Sequence, residues 1–584
     1  MPVMHPDRQP SSLTPEAGLV ARGSVINVGA MTLGAVLGFG LTVLASRWLQ
    51  PKQTGEFFEL IALFTILSNS LALGADTGLT RWISRARAIG GIQEVRRIVL
   101  VSLVPVAAVG AAAAAAVWLS ARVLAGIFLH GMNPAQAMSE FRLIAIFVPL
   151  GALSMCLIAG ARGFGRMWPY LGIEGLGKPV LRIGLIVLAL LAGWSLRGAL
   201  LGWTIPVAIG AVASWLIVAR LIRKEVPAAG RMLASAGRGR LAAGFWRFAA
   251  PRGLAGIFQV TVLWLDILLV GAILTSYDAG VYAAVSRLAM IGTFALEGTR
   301  LAIAPQLSGL LARRENSRAA ALYQSATRLL MLASWPLYLM FAIFPTVVLR
   351  IFGAHYASGA ISLVILSLAM LVNTGTGNVT VVLLMGGKSS LNVFNTVIAL
   401  GINIGLNFLL LPRIGIAGAA IAWAASILVD NVLAAFEVWW VLDVAPLGRG
   451  YGLVVAVAGG CFGLVGLGVR KLAGQTLPAL GLAVAIGLVA YVLVVYAGRG
   501  RLQLTGFYAA MRPRRQVVSS SAGAGRPGQA RPGAGRHRAP AASRTKAVQQ
   551  HQPAGATLVT GGQQAARGAQ RAHPPGSRAV RRST

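Results

Sequence analysis

GALLGWTIPVAIGAVASWLIVA, residues Gly198 to Ala219, contains no Asp, Glu, Lys or Arg. A helix rises ~1.5 Å per residue, so this stretch is about 33 Å long, enough to cross ~30 Å of hydrocarbon. Only a helix satisfies every backbone amide from within its own segment there. The reading repeats outward along the chain. Gly23 to Ser46, Ile98 to Ala121, Leu329 to Leu349, Ser389 to Pro412 and Leu472 to Gly498 are equally free of charge. With 56% apolar and 12% charged residues, the chain has about half the charge of a soluble protein. An all-α polytopic membrane protein is expected, with about fourteen spans. They fall near 23–46, 57–80, 98–121, 142–161, 170–193, 198–220, 251–275, 280–305, 325–350, 360–386, 389–411, 416–441, 451–470 and 476–498.

The connecting loops alternate in charge. One set holds Arg81, Arg85, Arg87, Arg96 and Arg97, then Arg162 and Arg166, then Arg220, Arg223, Lys224, Arg231, Arg238, Arg240 and Arg247. It continues with Arg313, Arg314 and Arg318, then Lys388 and Arg449, whereas the other set holds scattered bases such as Lys52, Arg197, Arg350 and Arg413. Positive loops stay inside, so both termini are expected in the cytoplasm. The net charge of +36 is not a nucleic-acid signal. Residues 499–584 hold sixteen of the bases and no acid, without apolar periodicity and with no aromatic after Tyr508. Such a tail reads as disordered and cytoplasmic, adsorbing to anionic lipids. The polar, Pro-rich residues 1–22 do not read as a signal peptide. Cys156 and Cys461 lie within predicted spans and read as small core residues rather than a metal site or a disulfide framework.

The chain resembles itself at a shift of 220–225 residues. Leu49, Gly55 and Phe57 in LQPKQTGEF match Leu274, Gly280 and Tyr282 in LTSYDAGVY, and Gly198, Ala199 and Trp203 match Gly418, Ala419 and Trp423. A repeat of six spans keeps its orientation, so two six-helix lobes should be related by a pseudo-twofold axis along the membrane normal. The expected organisation is a cytoplasmic segment 1–22, an N-lobe 23–220, a cytoplasmic linker 221–250 and a C-lobe 251–442. Two extra helices in 443–498 and the tail 499–584 follow. The cargo path should run between the lobes.

Two stretches carry a family likeness. Ala45-Ser46-Arg47-Trp48-Leu49-Gln50-Pro51 followed by Gly55-Glu56-Phe57, Leu73-Gly74 and Arg81 is one. INIGLNFLLLPRIGIAGAAIAWAAS, Ile402 to Ser426, is the other. Over residues 20–500 the chain resembles the polysaccharide-export branch of the multidrug/oligosaccharidyl-lipid/polysaccharide exporter superfamily. That resemblance implies a flippase for a polyprenyl-pyrophosphate-linked glycan, working by alternating access. It also brings the polysaccharide assembly machinery into view as a partner.

Ionisable residues inside spans are costly and mark cavities or pairs. Glu174, Lys178 and Arg182 recur every fourth residue on one helix face. Lys178 and Arg182 suit a pyrophosphate, or all three form an intrahelical ladder. Arg287, Arg300 and Arg252 are further candidate cations for the cavity, although Glu297 and Arg300 also suit a structural pair, and Arg252 could snorkel. Asp266 is either a coupling carboxylate or the counter-ion of Arg287. Asp430 and Glu437, seven apart, share a face as a cavity or helix-contact candidate, and Asp430 and Glu174 join Asp266 as candidate coupling or counter-ion carboxylates. Asn392, Asn395, Asn403 and Asn407 form a polar stripe, for interhelical hydrogen bonds or for sugar contacts.

Gly386-Gly387-Lys388-Ser389 imitates the end of a P-loop, but Val382 stands where the first glycine belongs. No cofactor is implied. A cation-coupled multidrug exporter is the alternative within transport, disfavoured by a first span without a carboxylate. A membrane glycan polymerase or ligase would need a large extracytoplasmic loop with catalytic groups. A scaffold acting through its tail is the remaining class.

Overall fold

The computed structural model describes residues 33–497 apart from 35, 130, 226–237 and 449. The tail, the N-terminal segment and the centre of the expected linker lie outside the described residues. Among the described residues twelve helices are long and apolar enough to cross a membrane. They are α2 (Pro51–Ala88), α3 (Ile92–Leu119), α4 (Pro134–Gly163), α6 (Leu196–Glu225), α7 (Gly239–Ile273) and α8 (Ser276–Ala312). α9 (Asn316–Ile343), α10 (Ala354–Met385), α11 (Ser389–Ile414), α12 (Ile416–Leu442), α13 (Tyr451–Ala473) and α14 (Leu477–Ala497) complete the set. Two more helices occupy the places of the first and fifth predicted spans. α1 is Val36–Trp48, and α5 is a π-helical stretch, Tyr170–Gly177, running into Lys178–Leu191.

The helices overrun the expected bounds. α2 begins six residues before the predicted 57 and continues to Ala88, and α6 and α7 extend into the expected linker. Hydropathy marks only the part of a helix that needs lipid. Polar ends such as Arg81 to Ala88 stay helical through backbone hydrogen bonds and amphipathic packing.

α2 is broken at Leu73 and Gly74, with φ of 52° and 75°. A left-handed residue ends one helix and lets the next start at a new angle. Gly74 is required twice over. A Cβ there would also collide with the backbone of Ala249 and Gly253 in the first half of α7. α8 is interrupted by a tight turn, Met290–Gly292.

Among the described helices α4 packs on α2, α3 and α6, while α12 packs on α10 and α11 and α9 on α10. α2 joins the two sets through extensive contact with α7 and α8. At their crossing, a Cβ on Gly55 would strike the backbone of Ser276 and Gly280, and one on Gly280 would strike that of Pro51 and Gly55. The two glycines matched by the 225-residue shift therefore lie against each other, backbone to backbone. Small residues are what allow such approach where lipid provides no hydrophobic drive. Nearby, Arg47 Nε donates to the Ile351 carbonyl at 2.7 Å, which ties α1 to the turn before α10. α13 and α14 dock on the end of α9 through Phe344, Val347, Cys461, Phe462 and Ala483.

Candidate functional site

Beyond the Gly55–Gly280 crossing, the helices part around a cavity of about 430 Å³. Its wall comes from α1, α2 and α4 to α8, including Phe57, Phe58, Phe64, Trp203, Trp264 and Phe294. The charges in that wall are Glu174, Lys178, Arg182 and Arg287.

α5 delivers three of these through its spacing. Glu174 and Lys178 are one turn apart and form an ion pair, and the Lys178 ammonium also donates to Ser154 Oγ on α4 at 3.1 Å. Lys178 is thereby neutralised and buried. Arg182, a turn further on, is not paired with an acid. Its Nε donates to the Trp203 carbonyl at 3.3 Å, and its guanidinium lies 4.1 Å from the centre of the Trp203 ring. Arg287 on α8 repeats the arrangement. Its guanidinium lies 4.1 Å from the Trp264 ring centre and 5.6 Å from that of Phe58. Among the described residues no carboxylate comes within ion-pair distance of either guanidinium. An aromatic face attracts a cation by its quadrupole without cancelling its charge. The cavity therefore holds two charges available to an anion.

The other candidates lie elsewhere. Asp266 is buried, accepting from Tyr282 Oη at 3.0 Å and from Asn407 Nδ2 at 2.8 Å. The expected pairing with Arg287 is not made, because the two side chains leave neighbouring helices in different directions. Asn403 and Asn407 belong to this buried knot, with Asn407 Nδ2 also donating to the Asn403 carbonyl at 2.9 Å. Asn395 instead donates to Glu437 on α12 at 2.7 Å, and the Asn392 carbonyl accepts from Thr396 in its own helix. The stripe is therefore used in hydrogen bonding within and between helices, and none of its asparagines lines the cavity. Asp430 is not in the cavity wall either, and one of its carboxylate oxygens is buried without a hydrogen bond. Arg300 pairs with Glu297 at 2.9 Å on an exposed surface. Arg252 is exposed and shares the Phe248 ring with Arg81, at 4.6 and 4.1 Å.

Sequence reasoning passed over Glu59, 1% exposed within α2, and the two tryptophans that seat the cavity cations. Glu59 was visible as an acid inside the predicted second span. The tryptophans carried no signal, since stacking depends on where two helices face each other. Among the described residues no group of three His, Cys, Asp or Glu could hold a metal ion, and both cysteines are free and buried.

The helical bundle is shared with solved membrane transporters. The lipid II flippase MurJ in an inward closed conformation superposes with a TM-score of 0.65 at 12% identity, over 82% of this chain and 99% of that one. An inward-facing multidrug resistance MATE family transporter of the MOP superfamily gives 0.57 at 13% identity, over 72% and 98%. The MATE multidrug transporter DinF-BH gives 0.55 at 15% identity, over 76% and 99%. At these identities the likeness is one of fold. No family model matches the chain, and no curated protein matches it.

Proposed function

We propose that the chain is a flippase that moves a polyprenyl-pyrophosphate-linked oligosaccharide or polysaccharide precursor across the cytoplasmic membrane by alternating access. The observation that carries this reading is the pair Arg182 and Arg287, uncompensated by acid within one cavity wall. A pyrophosphate is the part of such a cargo that needs fixed cations, and guanidinium binds its oxygens bidentately. The aromatic and small residues beside them suit a lipid chain and the faces of sugars. The MurJ structure, described as a lipid II flippase, supports the same cargo class.

In this reading α1 to α14 are fourteen spans with both termini cytoplasmic. Helices α1–α6 and α7–α12 form two lobes about a pseudo-twofold axis, on which Gly55 and Gly280 meet. Their crossing closes the extracytoplasmic end. Energy comes from a gradient or from consumption of the product. The tail adsorbs to anionic lipid, and truncation after Met511 should leave transport intact.

The direct test is flipping of a fluorescent polyprenyl-pyrophosphoryl sugar in vesicles containing the purified chain. Protein-dependent access of the probe to an external quencher supports the proposal; no acceleration over empty vesicles overturns it. Two of the structural relatives are described as multidrug transporters, so a cationic dye serves as the competing cargo. The positive wall should repel it, and dye export with no glycolipid movement would reverse the assignment.

A further inference from the structure

Glu59 lies within the first half of α2, one turn past Gly55, between buried Phe58 and Leu60. Its carboxyl leaves α2 towards α7 and α8. Gly271 on α7 provides the room: a Cβ at that position would overlap the Glu59 carboxyl. Ser276, at the start of α8, faces the same group without completing a hydrogen bond. Neither carboxyl oxygen has a hydrogen-bond partner among the described residues, and no ion pair reaches it.

The surrounding charges are already committed or of the wrong sign. On α2 itself stand Glu56, a like charge, and Lys52, whose ammonium donates to the Gly131 carbonyl. On α7 Asp266 is held by Tyr282 of α8 and Asn407, and on α8 Arg287 is seated on Trp264. Glu140 on α4 faces Arg197 at the start of α6. A buried carboxylate without a partner is not tolerated as an anion. The same carboxyl would be solvated if α2 drew away from α7 and α8, because its burial comes from that contact.

We propose that Glu59 is a proton-binding site that works with the α2–α8 crossing, carrying its proton while the crossing is closed and releasing it to water when the crossing opens. The proposal rests on the alternating-access reading and adds to it the ion that biases the two states. The step is –COOH to –COO⁻ with the proton passing to solvent. The closed form binds one more proton than the open form, so raising pH favours opening. Over the range where the open form is ionised, the closed-to-open ratio should fall up to about tenfold per pH unit.

The test uses full-length protein in lipid nanodiscs, without cargo, with spin labels at Arg122 and Arg413. Both are exposed and lie at the same end of the bundle as the crossing. The wild type should lose its short-distance population to a longer one as pH rises from about 5 to 9. Glu59→Gln keeps the shape and cannot ionise, so it should stay at the short distance throughout. Glu59→Met serves the same purpose if the glutamine variant does not fold. A wild type indifferent to pH, or variants that follow its pH response, would overturn the proposal. So would a response to sodium at fixed pH with none to protons. Because no cargo is present, failure here leaves the glycolipid assignment standing, and a failed flipping assay leaves this result standing.

Discussion

The cavity wall and the buried knot on α7, α8 and α11 handle charge in opposite ways. In the knot, Asp266 is met by a tyrosine and an asparagine, and Asn403 and Asn407 bond around it. In the wall, Arg182 and Arg287 rest on indole rings and meet no acid. Both regions put polar groups inside a bundle. The knot closes where helices touch, and its acid is met by donors from two neighbouring helices. The wall forms where helices part, and there an aromatic platform holds a cation in place while its charge stays available. A polar residue inside a membrane bundle is therefore assigned by what faces it, and an arginine in a cavity wall with no acid beside it is the stronger pointer to an anionic cargo.

The sharpest way to break this contrast is to remove both wall cations. Arg182→Ala with Arg287→Ala should abolish glycolipid flipping while the protein still inserts and runs as a monodisperse peak. Each single variant should lose about 10- to 150-fold in transport rate, the equivalent of ~1.5–3 kcal/mol for one charged hydrogen bond. Arg→Lys at either site should recover part of that loss, because an ammonium retains the charge without the planar fork. Full transport by the double variant would end the cationic-wall reading.

The knot should respond in stability instead. Asp266→Ala leaves Tyr282 and Asn407 buried without their acceptor, at a cost of ~1–3 kcal/mol, and should lower the thermal midpoint in detergent. The surviving folded fraction should transport at close to the wild-type rate. A variant of normal stability that no longer transports would move Asp266 from the structural side to the functional one. Smallest of all is Arg300→Ala. Its exposed pair with Glu297 is worth under about 1 kcal/mol, so both midpoint and flipping should change little. A tenfold loss there would show that the cargo path reaches α8 beyond the cavity.

Much of the site was legible residue by residue. Glu174, Lys178 and Arg182 were marked by charge inside apolar runs and by a four-residue spacing that puts them on one face. Arg287 stood out for the same reason. Arg252 and Arg300 carried the same signal and lie outside the cavity, because composition does not say which face of a helix meets a gap. Asp266 and Arg287 looked like a pair since they sit on neighbouring spans, yet their side chains go to Tyr282 and Trp264 respectively. The asparagine stripe left two uses open, and packing of α11 on α7 and α12 chose hydrogen bonding.

From the sequence alone came the all-α membrane character, the places of the helices and the 225-residue internal match. These follow from lipid being unable to hydrogen-bond and from a helix needing about twenty apolar residues to cross it. The tertiary structure alone decided that Gly55 and Gly280 meet, that Gly271 opens a notch for Glu59, and that two arginines share a cavity with two tryptophans. Those are relations between residues distant in the chain. They depend on the angle and rotation at which rigid helices dock, which local pattern does not encode.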